Sequence, residues 1–211
     1  KNSIKCYDCY TGFKWIASVI RELEGKERYI GGGEESYGFL VEDFVRDKDA
    51  VSAIPMMAEA AAWAKENGKS VYEMLQDIYV KYGFSKEKGI SVVRKGKSGA
   101  EEIEAMMKNF RANPITEIAG SKVILIKDYA TLKGIDVLAG ETYTLDMPTT
   151  ANVIQYFTED GTKVSIRPSG TEPKIKFYVE VRGTLSSPAE YEAVNAQAEE
   201  KIKAVATSLG V

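Results

Sequence analysis

Val164-Ser165-Ile166-Arg167-Pro168-Ser169-Gly170-Thr171-Glu172-Pro173-Lys174-Ile175-Lys176-Phe177-Tyr178-Val179 places two apolar, β-prone segments on either side of an eight-residue loop. The pattern predicts strands over Thr162–Ile166 and Ile175–Val181, joined by that loop. A strand connection needs only a turn, and this one carries more. Gly170 permits backbone conformations closed to other residues, so successive N–H groups around Ser169 to Thr171 are expected to point into one concavity. Arg167 offers a planar fork that matches phosphate oxygens, Lys174 adds a point charge, and the hydroxyls of Ser169 and Thr171 are neutral donors. Pro168 and Pro173 stiffen both shoulders. The loop reads as an anion cradle.

Outward from this hairpin the chain keeps a strand-rich pattern. Gly89–Lys95, Val123–Ile126 and Asn152–Phe157 read as strands, and Asp160-Gly161 as the turn of a second hairpin. Ser98-x-x-Glu101 opens a helix that runs to about Phe110 and breaks at Asn113-Pro114, and a last helix spans Pro188 to about Ser208. Residues 130–148 are poorly patterned and receive no assignment. Neighbouring strands with two helices predict an α+β domain over residues 86–211.

Residues 1–85 alternate differently and predict an α/β domain. Ser3–Asp8 reads as a strand, Thr11 as the cap of a helix carrying Phe13, Ile16, Ala17, Ile20 and Leu23, and Arg28–Ile30 as a strand feeding a glycine run. Helices follow over Ala50–Asn67 and Ser70–Tyr82, the second opened by the capping box Ser70-x-x-Glu73 and closed by Gly83. Asp47 and Asp49 stand before the first of them, where acidic caps are ordinary. The glycine run, Gly31-Gly32-Gly33-Glu34-Glu35-Ser36-Tyr37-Gly38, ends in two carboxylates and a hydroxyl. Carboxylate acceptors grip vicinal sugar hydroxyls bidentately, so this loop reads as a polyol reader. Lys14 falls in the first turn of its helix, where its amine lies near the positive helix end and an anion is welcome; a solvated surface lysine is the plainer reading.

Composition bounds the function. At 211 residues the chain has room for two modest domains. A net charge of −3 argues against sequence-independent nucleic-acid binding, which needs a broad basic surface. The most apolar stretch, Ala50–Ala64, is too short to span a bilayer. Histidine is absent, with a count of 0, which removes Ser-His-Asp and Cys-His nucleophile arrangements and histidine metal sites. Cys6 and Cys9 form a Cys-x-x-Cys with no second pair to complete a zinc site, and they read as two reduced cysteines of a cytoplasmic protein.

The octapeptide Arg167–Lys174 resembles the phosphate-binding loop of the α-D-phosphohexomutases, the phosphoglucomutase and phosphomannomutase superfamily. Gly33-Glu34-Glu35-Ser36 resembles that family's sugar-binding loop, and Thr11-Gly12-Phe13-Lys14-Trp15-Ile16 a third family segment whose lysine faces the substrate. The three motifs stand in the family's order. The resemblance implies the carboxy-terminal half of a four-domain enzyme: a mixed α/β third domain, truncated at its start, and a fourth domain with an antiparallel sheet like that of the TATA-box-binding fold. It implies interconversion of hexose 1-phosphate and hexose 6-phosphate, of glucose or mannose, through glucose 1,6-bisphosphate or its counterpart. The catalytic phosphoserine and the Asp-x-Asp-x-Asp loop that binds Mg2+ are expected in the amino-terminal half of the polypeptide, since neither pattern occurs here. This chain then carries no catalytic residue and no metal ligand. Arg167, Ser169, Gly170, Thr171 and Lys174 are expected to hold the phosphate that does not react, and Glu34, Ser36 and Lys14 to fix the ring. Ser36-Tyr37-Gly38 departs from the family's Ser-Gly-His, which leaves a phosphopentomutase, a glucose 1,6-bisphosphate synthase or a non-catalytic sugar-phosphate-binding module as alternatives.

Overall fold

The computed structural model describes residues 4–34, 37–94, 96–170 and 172–211, leaving aside the side chain of Lys97. Two of the expected site residues, Ser36 and Thr171, lie outside the described residues. The chain forms two compact units, 1–74 and 75–211.

The first unit holds helix α1 (Phe13–Leu23), strands β1 (Gly31–Gly33) and β2 (Phe39–Val41), helix α2 (Ala50–Glu66) and the start of α3 (Val71–Tyr82). Phe13 and Ile20 of α1 bury against Leu40 of β2, with Ile16 and Tyr29 at the margin. β1 and β2 pair antiparallel, Gly31 opposite Val41 and Gly33 opposite Phe39. The three glycines are thus strand residues and not a bend, and the strand begins at Gly31, just after the segment Arg28–Ile30 where it was expected. Asp49 caps α2 by accepting from the N–H groups of Val51 and Ser52 at 3.0 and 3.2 Å. At α3 the capping box closes as read: Ser70 N–H donates to Glu73 Oε2 at 2.7 Å and Glu73 N–H to Ser70 Oγ at 3.2 Å.

Two expectations for this unit fail. Residues 4–8 form no strand; the segment has no ladder partner among the described residues, and Lys5 and Tyr7, two positions apart, both reach the Glu27 carboxylate. Thr11 does not cap α1. The N-cap is Gly12, at φ 118°, a conformation that side chains disfavour, and it uses no side chain of its own.

The second unit is an antiparallel sheet backed by two helices. Its strands are β3 (Phe84–Val93), β4 (Glu117–Ile118), β5 (Ser121–Asp128), β6 (Lys133–Asp136), β7 (Glu141–Thr144), β8 (Ile154–Thr158), β9 (Lys163–Pro168) and β10 (Lys174–Gly183). The order across the sheet is β3-β10-β9-β8-β5-β6-β7, with the short β4 on β5. Helices α4 (Gly96–Ala112) and α5 (Tyr191–Ser208) supply Ile103, Met107, Ala198, Ile202 and Val205 to a core completed by Ile154, Tyr156, Val164, Ile166, Ile175, Phe177, Val179 and Val181. Strict alternation along β8, β9 and β10 produces this: every second residue is buried and its neighbours face the other side. β6 and β7 occupy the stretch that the sequence left unassigned. They form an exposed edge hairpin in which Tyr143 lies over Gly134 and little apolar surface is buried.

Candidate functional site

The phosphate-loop candidate is the β9–β10 connection. Six ladder pairs fix its base, from Glu180 opposite Lys163 to Ile175 opposite Pro168. Ser169 N–H donates to Lys174 C=O at 2.8 Å and extends the ladder by one rung, and Arg94 N–H holds Pro173 C=O at 2.9 Å from the other side. Within the loop, Glu172 N–H donates to Ser169 Oγ at 3.3 Å. The loop is therefore framed on both flanks.

Its expected residues part into two groups. Ser169 and Lys174, with Glu172, Pro168 and Pro173, line a cavity of about 220 Å3 closed below by Ile103 and Met107 of α4. Lys174 Nζ is bonded to Glu172 Oε2. That hydrogen bond, then the charge behind it, holds the Glu172 carboxyl below its ordinary value. Arg167 does not line the cavity. It sits half-buried on the face of the sheet away from Val164 and Ile166, and its side chain makes no ion pair or hydrogen bond among the described residues.

Gly170 departs from the expectation. Its φ is not in the left-handed region and a Cβ there would meet open space, so its freedom is unused in this conformation. Ser169 N–H is committed to the ladder and so is not a free donor of the expected nest, whereas Gly170 N–H meets no acceptor among the described residues.

The sugar-loop candidate is the β1–β2 connection. Glu34 N–H donates to Gly38 C=O at 2.9 Å, closing a loop whose tip is Tyr37, fully exposed and at φ 65°. Glu34 Oε1 accepts from the N–H of Gly12, the N-cap of α1. A carboxylate thus takes up an unpaired donor at the positive end of a helix that has no acidic residue in its own first turn. Gly38 fits beneath it because a Cβ there would lie 2.6 Å from the Phe13 ring. The clamp brings Glu34 and Lys14 to the same helix end. Lys14 Nζ stands 4.8 Å from the centre of the Trp15 ring, which itself meets Tyr10 edge-on. Sequence reasoning missed this scaffold bond, because its partner lies 22 positions away and leaves no local signal. Cys9 lies near the same end. Burial first, then the charges of Asp8 and Glu34, push its thiol up, away from the reactive thiolate.

Residues 1–82 match the family model described as phosphoglucomutase/phosphomannomutase, alpha/beta/alpha domain III, and residues 87–200 match that of the phosphoglucomutase/phosphomannomutase C-terminal domain. The chain belongs to this family. The placement in the third and fourth domains, read from three short motifs, is the one the family models give, and the two α/β units are the corresponding architecture. A phosphoglucomutase of Staphylococcus epidermidis is 42% identical over 178 residues, covering 84% of this chain and 32% of its own length. One of Staphylococcus aureus is 42% identical over 188 residues, covering 86% and 32%. The chain spans about a third of the length of these relatives. Among solved structures, the open form of the exocytosis-sensitive phosphoprotein pp63/parafusin, a phosphoglucomutase from Paramecium, matches the whole chain and 35% of its own with a TM-score of 0.56 at 17% identity, a likeness of fold. Among the described residues no helix is long and apolar enough to cross a membrane.

Proposed function

We propose that this chain is the substrate-positioning part of a cytoplasmic phosphohexomutase that interconverts hexose 1-phosphate and hexose 6-phosphate through a bisphosphate. Residues 86–211 receive the phosphate that does not react, at the hairpin of Arg167, Ser169, Gly170, Thr171 and Lys174. Residues 1–85 read the ring with Glu34, Ser36 and Lys14. Holding a substrate in the reactive geometry lowers a barrier by several kcal/mol without any group on this chain touching the transferred phosphoryl. The observation that carries the reading is Arg167: a half-buried guanidinium with no counter-charge among the described residues, at the base of a loop framed on both sides.

The phosphoserine and the magnesium ion belong, on this reading, to the amino-terminal part of the same polypeptide. Among the described residues no three His, Cys, Asp or Glu side chains cluster to hold a metal ion, so these residues do not fit that role and no step here runs through magnesium. The chain alone is expected to have no mutase activity.

The test is binding followed by residue-resolved NMR of the chain, with glucose 1-phosphate, ribose 1-phosphate and unphosphorylated glucose. Arg167→Ala should cost phosphorylated ligands about 2–4 kcal/mol, roughly thirty- to a thousandfold in affinity, and leave glucose unaffected. Equal losses for phosphorylated and plain sugar, or no loss, overturn the phosphate reading. Preference for the pentose phosphate replaces the hexose.

A further inference from the structure

Among the described residues four that are not glycine take a positive φ: Tyr37 at 65°, Glu42 at 57°, Ala119 at 48° and Leu132 at 54°. Three of them are half-buried and held. Glu42 N–H donates to Ile30 C=O at 3.2 Å and its carboxylate accepts from Arg28 at 2.9 Å, Ala119 packs against the core of the second unit, and Leu132 C=O accepts from Leu145 N–H at 2.9 Å. Tyr37 is the exception. Its ring is fully exposed and has no hydrogen-bond or ring partner among the described residues. A bulky side chain in the left-handed region is disfavoured, and no packing offsets that cost here. Glycine, which sits there without strain, stands one position later for a different reason: Gly38 has no positive φ, but a Cβ on it would lie 2.6 Å from the Phe13 ring. The same Cβ would lie 3.4 Å from Glu34 Oε2, the carboxylate oxygen that does not receive the Gly12 N–H. The strained tyrosine and the candidate hydroxyl reader are thus neighbours at one end of the loop.

We propose that Tyr37 is a sugar-stacking residue, its ring lying against the C–H face of a pyranose whose hydroxyls are taken by the Glu34 side of the loop. This rests on the reading of the β1–β2 connection as the ring reader. A pyranose is polar at its rim and apolar on its faces, where axial C–H groups point outward, so a site made only of acceptors leaves the faces of the sugar in water. A phenol ring matches such a face: it is flat, large and stiff, with two torsions to order, and its hydroxyl at the edge stays hydrated while the face is covered. Full exposure suits a platform of this kind, since the surface that it would bury is the ligand's. A backbone set in the left-handed region aims the ring outward before the sugar arrives, which lowers the ordering cost of binding. Strain kept where packing does not stabilise it marks a position shaped for a ligand and not for the fold.

The experiment titrates the whole chain and its Y37G, Y37N, Y37F and Y37W variants with glucose, glucose 1-phosphate and inorganic phosphate, reading dissociation constants from NMR shifts and melting temperatures from circular dichroism. Glycine and asparagine accept the left-handed backbone, so Y37G and Y37N should melt about 2–5 °C later than the parent chain. The same two variants should bind both sugars about tenfold more weakly and inorganic phosphate unchanged. Y37F and Y37W keep a ring and should stay within about threefold of the parent for every ligand. Stability and sugar affinity then move in opposite directions, which a purely structural ring does not produce. Earlier melting of Y37G and Y37N, or an equal loss for inorganic phosphate, marks a structural role and overturns the proposal. A loss in Y37F as large as in Y37N overturns it too, since the hydroxyl and not the ring face is then the reader. If glucose shifts the amides of Gly31–Gly33 and Gly38 in the parent and Y37G and Y37N keep their sugar affinity, this assignment falls and the ring reading of the loop stands. If glucose leaves those amides unshifted in the parent, the ring reading falls and this role with it.

Discussion

Glu34→Gln isolates the carboxylate clamp on α1. The substitution keeps the size and one acceptor oxygen but removes the charge that receives the Gly12 N–H. A hydrogen bond to an ionised acceptor contributes about 1.5–3 kcal/mol against about 1 for a neutral one, and a carboxylate near a helix N-terminus adds about 0.3–1. The contact is only part-buried, which argues for the lower ends of these ranges, and the expected loss is about 1–2 kcal/mol. In a unit of this size each kcal/mol moves the melting temperature by about 4–8 °C, so the first unit should melt roughly 5–15 °C early. Circular dichroism at pH 7, with urea titration for the free energy, measures it. Unchanged unfolding would refute the clamp and return Glu34 to an uncommitted loop carboxylate. A role in reading the ring would show separately, as a change in sugar binding at temperatures where the variant is folded.

Three further substitutions probe the second unit by chemical denaturation. Tyr156 is fully buried, donates its hydroxyl to Phe110 C=O at 2.8 Å, and is pushed up to about 12 by burial; Tyr156→Phe orphans that helix-end carbonyl and should cost about 1–2 kcal/mol. Tyr178 buries its hydroxyl without a partner among the described residues, so Tyr178→Phe should leave stability unchanged or raise it by up to about 1 kcal/mol. At Asp160 burial raises the carboxyl pKa, but hydrogen bonds from Lys201, Thr158 and the Thr162 backbone outweigh it and hold the group far below its ordinary value. A lowered folded value makes its stabilisation complete above the unfolded carboxylate range, about pH 4, and progressively lost as pH falls below it; Asp160→Asn should cost about 1 kcal/mol at pH 7 and converge on the wild type in acid.

Local chemistry was the part of this fold that could be read in advance. The Ser70–Glu73 box, the Asp49 cap and the Asp160-Gly161 hairpin each need only neighbouring residues, and each formed as expected. The β9–β10 loop was legible for the same reason, since its strands alternate and its turn residues are contiguous. What failed depends on partners distant in sequence. Thr11 looked like the cap of α1 because the acceptor in use, Glu34, arrives from another loop. The β6–β7 hairpin was invisible because an exposed edge carries no apolar alternation. At the candidate site the sequence puts Arg167 and Lys174 on one loop, but not the bond that Lys174 makes to Glu172 nor the register that sets Arg167 opposite Lys176.

The pairing of β3 with β10 sets a time order on the loop. The two strands match all ten residues, yet they lie about 80 to 100 positions apart along the chain. Bringing such distant segments together pays its loop-closure entropy before any contact repays it, so this rung of the sheet is a slow, late event compared with the β8 and β9 hairpin. Arg94 can steady Pro173 only once that event is over. During synthesis the β9–β10 loop therefore has one flank waiting for β10 to emerge in full, and a chain halted well before residue 183 has the loop's sequence without the support that β3 gives it.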